Sequence, residues 1–261
     1  MTDKKNMNKN VFITGAASGI GLATAQYLHH QGYIVGMADL SLASLVKATE
    51  DWNQDKIKLF ELNVTDFEKT KEVLNTFCSD QQSKLAILIN NAGVLEIGPF
   101  ESITNEQHRR TLDVNVMGLI NTSQAALPFL KNNQNSTVIN LSSASSDYGV
   151  PELASYSASK FAVKALTEAL ELEWAPYGIR VCDVLPPFVS THMVSSQNHS
   201  SKVMERMGVN LTADDVVRVI QQQIHSPRTH RTVGLFYGLL HRLSNVSPFF
   251  ISRLAMKFLS R

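Results

Sequence analysis

The stretch Thr14-Gly15-Ala16-Ala17-Ser18-Gly19-Ile20-Gly21 decides how this chain reads. Val11-Phe12-Ile13 before it is a short apolar run of the kind a buried strand carries. The amphipathic run from Gly19 to about Gln31, closed by Gly32, has the pattern of a helix. Three glycines therefore sit where a strand turns into a helix. Free backbone N–H groups and the positive end of the helix dipole favour an anion there, a dinucleotide pyrophosphate above all. The spacing is G-x-x-x-G-x-G rather than G-x-G-x-x-G. Alone, the turn is equally readable as an ordinary glycine-rich loop, and its context has to decide.

Working outward, apolar runs alternate with helical patterns. Tyr33–Ala38 predicts a second strand ending at Asp39, Ile57–Leu62 a third, and Leu85–Ile89 a fourth that runs into Asn90-Asn91-Ala92-Gly93. A long helical stretch from about Asn105 to Leu130 contains Asn115. Thr137–Leu141 predicts a fifth strand, residues from about Ser155 to Tyr177 a helix, and Ile179–Leu185 a sixth strand stopped by Pro186-Pro187. Residues 188–211 lack periodicity and read as a lid or insertion. Thr212 caps a further helix, and Thr232–Leu235 is a candidate seventh strand. Strands that are apolar throughout and separated by helices imply a parallel sheet covered on both faces. No repeat, linker or composition break marks a second domain, so one doubly wound α/β domain fits best.

Composition narrows the function classes. With 44% hydrophobic and 18% charged residues over 261 positions, the chain has ample core for a globular protein. A formal net charge of +1 gives no whole-molecule footprint for nucleic acid. Cys78 and Cys182 have no metal-site spacing and read as two buried free thiols, so no metal is expected. Neither a signal peptide nor an apolar run long enough to span a bilayer is evident, which makes the cytoplasm the expected location. Met1 to Lys9 reads as a frayed polar arm.

Asp39 lies 18 residues after Gly21, at the C-terminal end of the second predicted strand. A carboxylate there can accept hydrogen bonds from the adenosine ribose of NAD and repel the 2′-phosphate of NADP. Its plain alternative is an N-cap for the helix beginning near Ser41; both can hold, and the spacing favours the ribose role. Leu40, Ala16 and Ala17 supply no cation for a 2′-phosphate, so NAD is the expected cofactor, preferred over NADP. Tyr156 and Lys160 are spaced i and i+4, which puts both on one helix face. A phenol is a poor base at neutral pH, with a pKa of about 10, and a neighbouring ammonium brings it toward the working range. Ser143 leaves the end of the fifth predicted strand and can present a hydroxyl to the same point, as a donor to a carbonyl oxygen. Alone, Tyr-x-x-x-Lys is also what any amphipathic helix could carry.

Taken in order, Thr14–Gly21, Asn90-Asn91-Ala92-Gly93, Asn115 within Asp113-Val114-Asn115-Val116-Met117-Gly118, Leu141-Ser142-Ser143 and Tyr156-Ser157-Ala158-Ser159-Lys160 resemble the short-chain dehydrogenase/reductase family. The resemblance runs from about Asn10 to Val233. It implies a Rossmann-like, seven-stranded parallel sheet in order 3-2-1-4-5-6-7, and hydride transfer between NAD(P) and an alcohol/carbonyl pair. By similarity Tyr156 is the acid/base and Ser143 orients the substrate oxygen. Lys160 lowers the tyrosine pKa and holds the nicotinamide ribose, and Asn115 keeps a water in the proton relay. Gly15, Ser18, Gly19, Ile20, Gly21, Asp39, Asn63, Val64, Asn91, Ala92, Gly93, Tyr156, Lys160, Val189 and Thr191 would contact the cofactor. Two departures stand out: Pro187 replaces the family's usual glycine, and Asn63 replaces its common aspartate. The second proline stiffens φ and removes an N–H, so the nicotinamide pocket is expected to differ locally, with Val189 and Thr191 still matching. An amide at Asn63 can both donate and accept, so adenine binding is expected to survive, and neither change disables the chemistry.

Leu95, Tyr148, Phe188 and Met193 follow motif ends and would line an apolar substrate site, alongside Ser143 and Tyr156; packing under loops is an equal alternative. The expected partner is a small alcohol, ketone or aldehyde, with the chain assembled as a homodimer or homotetramer and binding no nucleic acid. Seven Arg/Lys and no Asp/Glu follow Asp215. Residues 1–236 then form the catalytic domain and 237–261 a basic amphipathic extension of two short helices broken at Ser247-Pro248. Packing of that extension on another subunit or over its own active site is preferred to peripheral docking on an anionic membrane. A dinucleotide-sensing regulatory protein without turnover is the rival reading of the whole.

Overall fold

Seven strands, β1 (Asn10–Thr14), β2 (Ile34–Asp39), β3 (Ile57–Glu61), β4 (Ile87–Asn90), β5 (Thr137–Leu141), β6 (Arg180–Leu185) and β7 (His230–Thr232), pair in parallel in the order β3-β2-β1-β4-β5-β6-β7. The computed structural model describes residues 9–197 and 199–260. All but the last residue of the polar arm expected over 1–9 therefore lies outside the described residues.

Alternation along each strand builds two cores, one on each face of the sheet. Val11, Ile13, Val35, Met37, Ile87, Ile89 and Ile139 point to one side, where α1 (Gly19–His30) and α9 (Ala213–His225) cover them. Phe12, Leu88, Val138 and Val181 point to the other, under α3 (Phe67–Ser79) and α5 (Gly118–Lys131). Burial on both faces is why the strands read as unbroken apolar runs. The thiols of Cys78 and Cys182 are both free and buried in these layers, and burial pushes each up to about 12.

Several boundaries differ from the sequence reading for identifiable reasons. β4 begins at Ile87 rather than Leu85, because Ala86 N–H donates to Asn10 Oδ1 (2.7 Å) and Leu85 N–H to Phe129 O (3.0 Å) instead of entering the ladder. The single helix expected from 105 to 130 is α4 (Asn105–Leu112), a π-helical turn at Asp113–Met117, and then α5. Strand β7 ends at Thr232 rather than beginning there, because Gly234, at φ +85°, turns the chain into α10 (Leu235–Val246). β7 is held by His230, whose Nδ1 lies 3.0 Å from both carboxylate oxygens of buried Asp183 and whose Nε2 lies 3.1 Å from Glu168.

Residues 188–211 contain α7 (His192–Ser195) and α8 (Lys202–Met207), with one parallel bridge between Val189 and Leu211. Val203 and Met204 of α8 pack with Leu95, Ile97, Val150 and Leu153 in a third, smaller cluster. The basic extension is α10 followed by α11 (Phe249–Leu259), with the break at Ser247-Pro248 as read. It starts two residues before position 237 and folds back over the chain's own loops. Met256 and Leu259 join the α8 cluster, and Phe249 stacks on Tyr148 at 5.8 Å between ring centroids.

Candidate active site

The C-terminal ends of β1, β4, β5 and β6 open on one side of the sheet, and every motif residue is delivered there. The glycine turn is fixed by its neighbour. Thr14 Oγ1 accepts the N–H groups of Asn91 and Ala92 at 3.1 Å each, and Asn91 Nδ2 donates to Thr14 O (3.0 Å) and Gly15 O (2.8 Å). The packing leaves no room for side chains. A Cβ on Gly21 would lie 2.1 Å from Gly15 O, and one on Gly15, at φ +65°, 2.8 Å from Ala92 Cα. Ser18 caps α1 in extended conformation with its hydroxyl unspent on the cap. The first N–H groups of α1 are then left to an external acceptor.

Asp39 faces this turn. Its Oδ2 accepts Ala17 N–H at 3.0 Å and its Oδ1 takes Ser41 N–H at 3.4 Å, while the cap of α2 (Leu42–Ala48) is Ser41. The plain-cap alternative for Asp39 is thereby excluded. Beside it runs a cleft of about 620 Å³ walled by Gly15, Asp39, Leu40, Asn63, Val64 and, on the α4 side, Arg110. Asn63 Oδ1 is spent locally, accepting from Thr65 N–H (3.1 Å) and Thr65 Oγ1 (2.9 Å). Its Nδ2 is the group free to turn to the cleft. The cleft suits a dinucleotide: helix N–H groups for a pyrophosphate, a carboxylate for sugar hydroxyls, and Leu40 and Val64 as apolar walls for a base. Arg109 and Arg110, which also line it, were not anticipated, because they lie some 70 residues from Asp39 and only the fold of α4 brings them across.

The chemistry-bearing side chains meet in a second, smaller cavity of about 90 Å³, lined by Ser143, Tyr156, Lys160, Leu95, Phe188 and Met193. Ser143 Oγ accepts Ser145 N–H (3.1 Å) and lies against the Tyr156 phenol, with its own proton left to donate. Lys160 is buried, donates to Leu141 O at 2.7 Å, and sits 5.5 Å from the centre of the Tyr156 ring. Burial pushes the phenol up to about 12, against the Ser143 hydrogen bond that lowers it, and pulls Lys160 down to about 8. With Lys160 Nζ 5.5 Å from the ring centre, burial is the largest cause acting on the phenol. The phenol is therefore protonated near neutral pH.

Asn115 is brought to the same place by the π-helical turn. Its Oδ1 accepts Val94 N–H (2.7 Å), and its Nδ2 donates to Val94 O and to Ser159 Oγ (3.0 Å each). Ser159 Oγ in turn donates to Tyr156 O at 2.7 Å. The amide's two donors are fully spent, so only one lone pair of Oδ1 remains for a water. Val189 and Thr191 border the cavity with Ile20 and Pro187, and the Pro186 carbonyl accepts Ala144 N–H (2.9 Å). Tyr148 is the exception among the expected substrate contacts. It turns away into a neighbouring cavity beneath α10 and α11, which meets the first at Ser143, Pro187 and Phe188.

Sequence reasoning also missed Asp147. Its buried carboxylate accepts from Tyr237 Oη (2.5 Å), His241 Nδ1 (2.7 Å) and Lys164 Nζ (3.1 Å), latching α10 to the loop after Ser143. Burial raises this carboxyl, but the bonds from His241, Tyr237 and Lys164 outweigh it and hold it below its ordinary range. No local signal could have shown this, since its partners on α10 lie 90 and 94 residues away.

Residues 9–202 match the family model described as short chain dehydrogenase. The chain is 35% identical over 242 residues to a 3-oxoacyl-(acyl-carrier-protein) reductase of Thermotoga maritima, covering 89% of this chain and 98% of that one. It is also 35% identical over 190 residues to a 3-ketodihydrosphingosine reductase of Bacteroides thetaiotaomicron, covering 73% and 67%. Among solved structures, a 3-ketoacyl-(acyl-carrier-protein) reductase of Brucella melitensis complexed with NADH superimposes with a TM-score of 0.79 at 26% identity, over 87% of this chain and 97% of that one. A Burkholderia phymatum dehydrogenase in complex with NAD gives 0.81 at 22% identity, over 91% and 92%, and shares the fold. With its parallel sheet in the order 3-2-1-4-5-6-7 and these matches over most of its length, the chain belongs to the short-chain dehydrogenase/reductase family of oxidoreductases.

Proposed function

We propose that the protein is an NAD-preferring oxidoreductase that interconverts an apolar alcohol and its carbonyl by a Ser-Tyr-Lys mechanism. The observation that carries this reading is the convergence of Ser143, Tyr156 and Lys160 on one small cavity whose other walls are Leu95, Phe188 and Met193. The names of two matched relatives, a 3-oxoacyl-(acyl-carrier-protein) reductase and a 3-ketodihydrosphingosine reductase, support a keto group as the one reduced.

A nicotinamide dinucleotide, when bound, supplies or removes the hydride. The N-terminus of α1 with Gly15, Ser18, Gly19, Ile20 and Gly21 would hold its pyrophosphate, and Asp39 its adenosine ribose. Asn63 and Val64 would border the adenine, and Asn91, Ala92, Gly93, Val189 and Thr191 the nicotinamide half. In the reducing direction Tyr156, kept protonated by burial, donates its proton to the developing alkoxide while Ser143 donates a hydrogen bond to the same oxygen. Lys160 spends one N–H on Leu141 O. Its other two are available to sugar hydroxyls, and its charge stabilises the phenolate left behind. Asn115 acts as a positioning residue, tying the loop after β4 to Ser159 and through it to the Tyr156 carbonyl. The apolar walls exclude water from the reacting oxygen and favour substrates without charge near it.

The test is a screen of alcohols and ketones of graded length with both nicotinamide cofactors. Turnover that rises with apolar length is the expected result. Dinucleotide binding without turnover of any member would replace this reading with a sensor.

A further inference from the structure

Helices α10 and α11 expose a surface that catalysis leaves unexplained. Their inner sides carry Tyr237, His241 and Met256 against the body of the protein. Their outer sides are apolar and open to solvent: Leu235 is 97% exposed, Val246 81%, Phe236 73%, Phe258 72%, and Phe250 and Leu254 67% each. Phe250, Leu254 and Phe258 stand at i, i+4 and i+8, one row along α11. Arg253 and Lys257 form the adjacent exposed row, and exposed Arg242 lies among the outer residues of α10. An apolar patch of this kind, rimmed by one sign of charge, marks a binding surface.

The charge selects the occupant. A second copy docked about a two-fold axis would set this patch against itself, bringing the Arg242, Arg253 and Lys257 cations of both copies into one interface with no acidic residue after Asp215 to neutralise them. A bilayer bearing anionic headgroups answers both features, with acyl chains for the aromatic and aliphatic row and headgroup charge for the cations beside it. Beneath the same two helices lies a cavity of about 370 Å³, walled by Leu240, Leu243, Ile251 and Met256 and reaching Ser143 and Phe188. Leu243 and Ile251, which line it, are themselves half-exposed at the outer surface (50% and 45%).

We propose that α10 and α11 dock the protein on an anionic lipid surface, with the cavity beneath them admitting a lipophilic substrate from that surface toward Ser143. The docking stands on the exposed face alone, whereas the substrate route rests on the function proposed above. Vesicles of phosphatidylcholine, with and without phosphatidylserine, test it by co-sedimentation, alongside mass in solution and NADH binding. Binding to the anionic vesicles, weak on neutral ones and reduced by salt, is expected. Arg242→Ala, Arg253→Ala and Lys257→Ala together should weaken it on the order of 100-fold, about fivefold for each cation. Phe250→Ser with Leu254→Ser should abolish it while leaving NADH binding and solution mass unchanged. Absence of vesicle binding by the wild type, or equal binding after the cations are removed, overturns the proposal. So does a dimer that Phe250→Ser with Leu254→Ser converts to monomer. Vesicle binding without turnover of any alcohol or ketone would instead leave docking standing and remove the catalytic reading.

Discussion

Replacing Asp39 by asparagine isolates the charge that is argued to set cofactor choice. The asparagine retains a carbonyl oxygen to accept Ala17 N–H, now received by Oδ2 at 3.0 Å, so the turn keeps its geometry and loses one negative charge. Asp39 is half-buried, so its interaction with a charge on the ribose falls between the surface and aqueous limits. For unit charges about 4 Å apart those limits are about 4 and about 1 kcal/mol. At about 1.4 kcal/mol per decade, the wild type should favour NADH over NADPH by about fivefold to about 1,000-fold, and Asp39→Asn should give up that factor. The assay is kcat/KM for each cofactor with one common substrate, expressed as a ratio for wild type and variant. A wild type that prefers NADPH would refute the reasoning. It would show that Arg109 or Arg110, the latter 60% exposed and 4.0 Å from Glu96, swings in and outweighs the carboxylate. An unchanged ratio in the variant would show that the carboxylate does not meet the ribose.

Further perturbations follow from the same geometry. Gly21→Ala drives a Cβ to 2.1 Å from Gly15 O and 2.5 Å from Asn91 Nδ2, so dinucleotide affinity by titration calorimetry should collapse; retained affinity would show that the turn can open cheaply. Asn115→Ala strands the Val94 and Ser159 partners and should lower unfolding free energy by about 1–3 kcal/mol in urea, with kcat falling as Tyr156 loses its support. His230 should make stability pH-dependent. Its hydrogen bond to Asp183 raises its pKa against the opposing effect of burial. Its stabilising contribution is therefore complete below the unfolded value of about 6.5 and fades as pH rises through the raised folded value. Urea midpoints for wild type and His230→Gln should converge toward alkaline pH, and parallel curves would contradict the assignment.

How much of this was legible from sequence depends on the range of the contact involved. The strands were, because burial on both faces leaves an unbroken apolar run, as in Val11-Phe12-Ile13. Their ends were less so, because a single long-range bond such as Asn10 to Ala86 decides where a ladder begins. Ser143, Tyr156 and Lys160 were readable from strand end, helix periodicity and above all the order of motifs shared with the family, and they line one cavity. The π-helical turn that carries Asn115 was hidden, since nothing in Asp113–Met117 distinguishes it from ordinary helix and the Val94 and Ser159 partners of Asn115 lie 21 and 44 residues away. Tyr148, Arg110 and Asp147 illustrate the same limit. Each meets residues distant in sequence, and Tyr148 stacks on Phe249 outside the cavity that Ser143 and Tyr156 share.

Turnover and NADH binding measured side by side for Tyr156→Phe test the proposed chemistry most directly. The substitution deletes one hydroxyl and leaves the ring, the Ser159 bond to the Tyr156 carbonyl and the Lys160 bond to Leu141 O in place. Loss of the general acid should lower kcat by about 10²–10⁴ while NADH affinity holds. Turnover at the wild-type level would contradict the assignment of Tyr156 as the proton donor.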